Sequence, residues 1–291
     1  MKIRHALALL RPRHWAKNVF VFAPLVFAGR LNFAGDMLKT ALAFVAFCLL
    51  SSSAYAYNDI ADREQDRLHP QKRKRPVASG NIPTFFGGLV SISTALAGLL
   101  LCYLIAEPLL VIALMYVVLN LAYSLKLKDI PFLDVISIAA GFIIRTLAGG
   151  VAINVPVSKW LLTCTFLLCL FLGFGKRRAE LEQLGYKSAV GLRTVFFAYR
   201  ALLLDILLAV SGAASLVAYV LYAVNPDTIR RFHGPFFVWV SPLVAYGIYR
   251  TTLLVREGKA AGPVEAVWKD SRLTSTVLAW AVYAAVVATI A

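Results

Sequence analysis

The sequence predicts an all-α polytopic membrane protein, with about nine transmembrane helices around a central cavity that opens to charged cytoplasmic loops. Three observations carry this expectation. First, 60% of the 291 residues are hydrophobic and only 15% are charged, against about 25% charged in ordinary soluble domains. Second, apolar runs of about 18 or more residues recur along the whole chain, each long enough to cross a bilayer. Third, the polar stretches between them are too short to bury a core of their own. Residues 1–291 therefore read as a single transmembrane domain.

Taken in order, the start MKIRHALALLRPRHWAKN does not read as a signal peptide. Its apolar centre, Ala6 to Leu10, is short, and more basic residues follow. Spans are expected at 15–34, 39–57, 83–106, 108–125, 133–153, 157–175, 197–222, 234–254 and 271–290. Lys17 opens the first, and Pro24 interrupts it. Of the 30 Lys and Arg residues, 24 fall in the N-terminal segment and around the loops after the even-numbered spans. The other loops hold Arg30, Lys39, Lys159, Arg230 and Arg231, and Arg145 lies inside a span. This asymmetry puts the N-terminus and the even-numbered loops in the cytoplasm, with the chain in the cell membrane. The net charge of +15 then reports topology, and no motif points to a nucleic-acid partner. Cys48, Cys102, Cys164 and Cys169 lie in apolar runs without metal-ligand spacing, so they read as core or lipid-facing residues. His5, His14, His69 and His233 lie in or near loops, so none serves as an intramembrane base.

The most charged stretch follows span two: NDIADREQDRLHPQKRKRPVASG, Asn58 to Gly80. Asp59, Asp62 and Asp66 share one helix face by their spacing. Lys72-Arg73-Lys74-Arg75 comes next, then a proline. Crowded carboxylates repel unless a cation sits among them. Carboxylates followed by cations suit a magnesium-bound diphosphate, with hard oxygens on the metal and guanidinium or ammonium groups on the phosphates. The plainer reading is a solvated helix end beside a topogenic basic loop.

Two further cytoplasmic stretches carry charge. Tyr123, Lys126, Lys128 and Asp129 follow span four. Gly175-Lys176-Arg177-Arg178-Ala179-Glu180 follows span six, where Lys176 and Glu180 share a helix face; ordinary positive-inside flanking is the alternative. Spans two and six both run into charged helical stretches, as in an internal repeat. Ionisable residues inside spans are rarer and point to function. Arg145 and Asp134, eleven residues apart, lie on nearly one face of span five, and Asp205 lies in span seven. They are expected to face a polar cavity or one another, an Arg145–Asp205 ion pair being the structural option.

At these residues the chain resembles a known family. Asn58-Asp59-x-x-Asp62-x-x-x-Asp66 at the end of span two resembles the first aspartate-rich motif of the UbiA superfamily of intramembrane prenyltransferases. Arg75-Pro-Val-Ala-Ser-Gly80 fits the same family. Three further stretches resemble its decaprenyl-phosphate phosphoribosyltransferase branch: Leu10-Arg-Pro-Arg-His-Trp-Ala-Lys-Asn18, Arg145-Thr-Leu-Ala-Gly-Gly150 and Gly175-Lys-Arg-Arg-Ala-Glu-Leu181. The resemblance covers residues 10 to about 200.

The resemblance implies transfer of 5-phosphoribosyl from phosphoribosyl pyrophosphate (PRPP) to a polyprenyl phosphate of decaprenyl type. Pyrophosphate is released, and the product feeds cell-wall arabinan precursor synthesis. It implies Mg2+ on Asn58, Asp59, Asp62 and Asp66, the three aspartates being the catalytic carboxylates. It implies substrate contacts from Lys17, Asn58, Arg73, Arg75, Tyr123, Lys126, Lys128, Arg145, Lys176, Arg177 and Glu180. A homo-oligomer is compatible with the sequence.

Two departures matter. Where aromatic prenyltransferases of the superfamily carry a second acidic motif, this chain has Lys176-Arg-Arg-Ala-Glu180, with one acid. The superfamily's Tyr-x-x-x-Lys element is off register, because Lys126 and Lys128 follow Tyr123 at three and five; either lysine fits the role. PRPP plus a lipid phosphate brings more anionic groups than a prenyl diphosphate alone, so the cations suit the phosphoribosyl reaction. An aromatic prenyltransferase using a polyprenyl diphosphate is the alternative enzyme. A transporter built on Arg145, Asp134 and Asp205 is a third reading, and the concentration of charge at span ends argues against it.

Overall fold

The computed structural model describes residues 3–68, 72–185, 194–259 and 263–290; His69 falls outside them. Every regular element among these residues is helical. Short helices α1 (Ile3–Leu10), α2 (Ala23–Phe27) and α4 (Arg63–Leu68) flank the first long one, α3 (Ala34–Ala61). Then come α5 (Thr84–Ile105), α6 (Glu107–Leu125), α7 (Leu133–Ala152), α8 (Lys159–Leu184) and α9 (Ala201–Ala223). The last are α10 (Pro226–Arg231), α11 (Phe236–Trp239), α12 (Ser241–Arg256), α13 (Pro263–Lys269) and α14 (Ser271–Ile290).

Seven of these helices are long and apolar enough to cross a membrane: α3, α5, α6, α7, α8, α9 and α14. They coincide with seven of the nine expected spans. The other two expected spans are broken. Residues 15–34 wind first as part of a 3-10 helix, Pro12–Phe22, then as the short α2. Residues 234–254 divide into α11 and α12. Pro24 and Pro242 each sit at the second position of a new helix, where a missing N–H is harmless; inside one continuous helix it would break the ladder.

The described residues fall into two compact units that interleave in sequence. The first comprises Met1–Leu25, Phe33–Leu127 and Ile144–Pro156. Here α3 packs along α5, and Ala43, Phe47, Leu50, Cys102, Ala113, Tyr116 and Ala148 form the core. The 3-10 segment lies on α3. Its three-residue turn stacks Trp15, Asn18 and Val21 on one stripe. Trp15 Nε1 donates to Ser52 Oγ at 3.0 Å, Asn18 Nδ2 donates to Ser51 Oγ at 3.2 Å, and Val21 joins the core. The second half of α7 reaches this segment at Gly149, where an added Cβ would stand 1.9 Å from the Val21 carbonyl oxygen. Only glycine allows that approach.

The second unit comprises Val26–Asn32, Lys128–Ile143 and Val157–Ala291. Helices α8 and α9 form its central pair. Val135, Phe174, Leu181, Val195, Phe196, Tyr199 and Leu204 make one core, and Phe171, Ala179, Leu208 and Val255 another. Large apolar side chains stay exposed along the spans, including Phe85 at 84%, Leu104 at 69% and Val118 at 64%. Faces of this kind belong against lipid, and a backbone that satisfies itself within helices is what a bilayer requires.

Candidate active site

The first cluster forms where α3 ends. Carboxylates at a helix C-terminus oppose the helix dipole, so Asp59 and Asp62 need nearby positive charge. Asp62 caps α3 at the break before α4. The backbone nevertheless carries on: the Asp62 N–H donates to the Asn58 carbonyl at 2.9 Å, and the Asp66 N–H to the Asp62 carbonyl at 2.8 Å. Asp59 and Asp66 thus sit on two helical segments rather than one, and both are buried.

Arg75 meets both carboxylates, with Nη1 2.6 Å from Asp66 Oδ2 and 3.5 Å from Asp59 Oδ1. Its loop is anchored by Val77 and Ile82, which pack with Leu9 and Ala56. Arg11, at the junction of α1 and the 3-10 helix, donates through Nη2 to Asp59 Oδ1. Its guanidinium also lies over the Tyr55 ring, 5.1 Å from the centroid. Two oxygens remain: Asp59 Oδ2 and Asn58 Oδ1 are buried and lack a hydrogen-bond partner. Such atoms are costly unless something takes them up.

These residues fit a hard divalent cation, since adjacent residues present a carboxylate and an amide oxygen without partners. Among the described residues, no three His, Cys, Asp or Glu side chains gather into a complete metal cluster. A magnesium ion does not need one, because it commonly takes one or two carboxylates and completes its shell with substrate phosphates and water.

In the same unit, Arg145 is nearly buried within α7. Its Nε donates to Asn18 Oδ1 at 2.7 Å and its Nη2 to Tyr116 Oη at 2.6 Å. The guanidinium also lies 4.7 Å from the Tyr116 ring centroid. Lys17 is half-buried beside Asn18, and Arg73 is exposed next to Arg75. Tyr123 lies in the last turn of α6 and is half-buried, and Lys126 caps that helix and is exposed. Lys128, which belongs to the second unit, is half-buried in a 3-10 turn.

The second unit holds the other charged cluster. Helix α8 carries on past Gly175, so Lys176 to Glu182 are helical. Arg177 is fully buried. Its Nε donates to Asp134 Oδ2 at 2.5 Å and its Nη1 to Glu180 Oε2 at 2.6 Å. Tyr199 donates to Asp134 Oδ1 at 2.8 Å and accepts the Phe132 N–H at 2.6 Å. Burial, then the Asp134 charge, push the Tyr199 phenol well above its ordinary range. Arg178 reaches Asp205 at 3.0 Å and Glu182 at 2.6 Å. Lys176 is exposed.

The sequence reading groups Asp59, Asp62 and Asp66 on one helix face and Lys176 with Glu180; the structure joins Asp59 and Asp66 through Arg75 and pairs Glu180 with Arg177 instead. The sequence reading misses Arg11, Asn18, Tyr55, Tyr116 and Tyr199 as partners. A polar asparagine within an expected span was a usable signal for Asn18. Arg11 lay inside a basic segment that topology alone explained.

Fold and site together define an all-helical polytopic membrane protein whose buried carboxylates and cations suit a metal–phosphate ligand. The sequence profile of the UbiA prenyltransferase family matches residues 18–269, and the chain belongs to that family. It is 34% identical to a decaprenyl-phosphate phosphoribosyltransferase of Mycolicibacterium smegmatis, covering 93% of this chain and 88% of the relative. A decaprenyl-phosphate phosphoribosyltransferase of Mycobacterium tuberculosis is 32% identical, with 93% and 90% covered. In fold it is similar to a UbiA homolog from Archaeoglobus fulgidus solved with GPP and Mg2+, at a TM-score of 0.71 and 20% identity, covering 99% of this chain and 100% of that one.

Proposed function

We propose that this protein transfers 5-phosphoribosyl from PRPP to a decaprenyl-type polyprenyl phosphate, for cell-wall arabinan precursor synthesis. The supporting observation is the cationic end of α8. Lys176, Arg177 and Arg178 stand there with Glu180, where a prenyl-diphosphate enzyme of the family would carry a second acidic motif. The curated relatives of the same name support the same reading. In the reaction, the lipid phosphate oxygen forms a bond to ribose C1 as the bond from C1 to the pyrophosphate oxygen breaks. C1 passes through an oxocarbenium-like state. The lipid phosphate is already an anion, so no general base is required.

Bound Mg2+ would stabilise the charge that develops on the leaving pyrophosphate. Asn58 and Asp59 would hold it through their unpartnered oxygens, with Asp62 and Asp66 completing the carboxylate set. Arg75 and Arg73 bind the pyrophosphate oxygens. Arg145 and Lys17 take up a further phosphate, and Tyr123 with Lys126 or Lys128 closes the donor side. Exposed Lys176 serves the remaining substrate charge, while Arg177 and Glu180, tied to one another and to Asp134, position the helix end that presents it. Residues 1–291 read as one UbiA-type domain, in keeping with a family match over residues 18–269. The basic N-terminal segment and even-numbered loops face the cytoplasm, where PRPP is available, and the protein resides in the cell membrane.

The test is to incubate purified protein with Mg2+, PRPP and decaprenyl phosphate and to look for polyprenyl-phosphoryl-5-phosphoribose by mass spectrometry. Condensation of a prenyl diphosphate with an aromatic acid, with PRPP ignored, would leave the family membership standing and remove the phosphoribosyl reading.

A further inference from the structure

We infer that Arg11 is a positioning residue of the metal site: it fixes Asp59 through Oδ1, so that Oδ2 faces the ion together with Asn58 Oδ1. The inference rests on the metal reading proposed above.

Arg11 stands at φ +52°, in the left-handed region, immediately before Pro12. A non-glycine residue rarely adopts this backbone, and a following proline restricts it further. Strain of this kind persists only where the surroundings over-determine it. Here they do. Ser52 Oγ donates to the Leu10 carbonyl at 2.9 Å, which pins the preceding residue. Tyr55 lies under the guanidinium. Both come from α3, the helix that carries Asp59, one and two turns before it. The guanidinium is thus held to the helix whose carboxylate it meets.

The asymmetry at Asp59 completes the argument. Both guanidinium contacts fall on Oδ1: Arg11 donates to it and Arg75 approaches it at 3.5 Å. Oδ2 is buried without a partner, and so is the neighbouring Asn58 Oδ1. A carboxylate gripped on one oxygen cannot turn, so its second oxygen has a fixed direction. Outer contacts of this kind orient metal ligands, and their loss commonly weakens metal binding about ten- to a hundredfold.

Charge alone predicts the opposite sign. Removing a cation from beside a metal-binding carboxylate relieves repulsion and tightens a divalent ion. The sign therefore separates positioning from neutralisation. The experiment measures Mn2+ binding to detergent-purified full-length protein by electron paramagnetic resonance, without substrate, for wild type, Asp59→Asn, Arg11→Gln and Arg11→Lys. Thermal unfolding serves as the fold control. The expected result is loss of binding in Asp59→Asn, at least tenfold weaker binding in Arg11→Gln, and partial recovery in Arg11→Lys. If Arg11→Gln does not fold, Arg11→Lys decides, since it keeps the charge and loses the fork: binding several-fold weaker than wild type supports the inference. Binding by either folded Arg11 variant as tight as wild type, or tighter, overturns it, while a normal Asp59→Asn loss leaves the metal site intact. Absence of Mn2+ binding by wild type, or binding indifferent to Asp59→Asn, overturns the metal reading and this inference together.

Discussion

The two charged clusters are built from the same groups and end in different states. At Asp134 both carboxylate oxygens are used, one by Arg177 and one by Tyr199, and Arg177 spends two nitrogens on Asp134 and Glu180. At Asp59 one oxygen meets guanidinium and the other meets nothing. Exposure follows the same division: the Arg177 side chain is 1% exposed and the Arg75 side chain 24%. A closed set of buried charges holds helices in place, because removing one member strands another. A set with an open oxygen has capacity for a ligand. Carboxylate–guanidinium contact alone therefore does not mark a site; the unfilled valence does.

The largest effect is expected from Asp59→Asn. It keeps shape and removes the charge that a metal needs, so product formation is expected to fall by roughly a hundredfold or more. Mass spectrometry of the lipid product reads it. Normal turnover with unchanged Mg2+ dependence would mean that the open oxygen is idle.

Asp134→Asn tests the closed cluster. It leaves Arg177 buried with part of its compensation gone, and losing one partner of a buried pair costs about 3–5 kcal/mol. Unfolding temperature in detergent is expected to drop by several degrees, and by more than in Asp59→Asn. The reverse order would swap the roles assigned to the two clusters.

Lys176→Ala sharpens the boundary between neighbours on one helix. Lys176 is exposed where Arg177 is buried. Its loss is expected to raise the KM for PRPP roughly tenfold, as one charge-assisted contact is worth about 1.5–3 kcal/mol, with unfolding unchanged. Arg177→Lys loses the fork and is expected to lower both stability and donor turnover. Wild-type kinetics in both variants would reduce this segment to a topology signal.

The smallest effect concerns a third, half-buried pair. Arg250 Nη2 lies 2.6 Å from Asp270 Oδ2. The Arg250 fork, then the Leu273 N–H, hold the Asp270 carboxyl down at about 2. A carboxyl depressed on folding lends stability above its unfolded value, near 3.9, and loses it as pH falls through the folded value. The gap in unfolding temperature between wild type and Asp270→Asn should therefore shrink between about pH 4 and pH 2. A gap that does not change over that window would show the pair to be inert.

Much of the fold was legible because hydropathy and length are properties of composition. Spans expected at 83–106 and 271–290 match α5 and α14 to within a residue or two. The expected span at 157–175 ends short of α8, because the charged residues after Gly175 extend the helix without extending its apolar run. Residues 15–34 carry the composition of a span but wind partly as a 3-10 helix, and residues 234–254 divide into two α-helices; hydropathy registers neither change. At the site, spacing grouped Asp59, Asp62 and Asp66 on one helix, whereas the helix breaks at Asp62 and Arg75 is what joins Asp59 to Asp66. Spacing assigns a helix face but not the neighbour that the face meets. That is why Arg145 was weighed against Asp205, while the structure gives Arg145 to Asn18 and Tyr116 and Asp205 to Arg178.

The 3-10 winding of Pro12–Phe22 also acts as a gauge of length. From Arg11 to Val21 is ten steps, about 20 Å at roughly 2.0 Å per residue. On α3, the stretch from Asp59 back to Phe47, which shares the apolar core with Val21, is twelve steps, about 18 Å at 1.5 Å per residue. Ten ordinary helical steps would cover only about 15 Å. The overstretched coil lets one short segment keep Val21 in the apolar core while its other end still touches Asp59. A single deleted residue would leave the segment short, and the shortfall would appear at whichever end yields first.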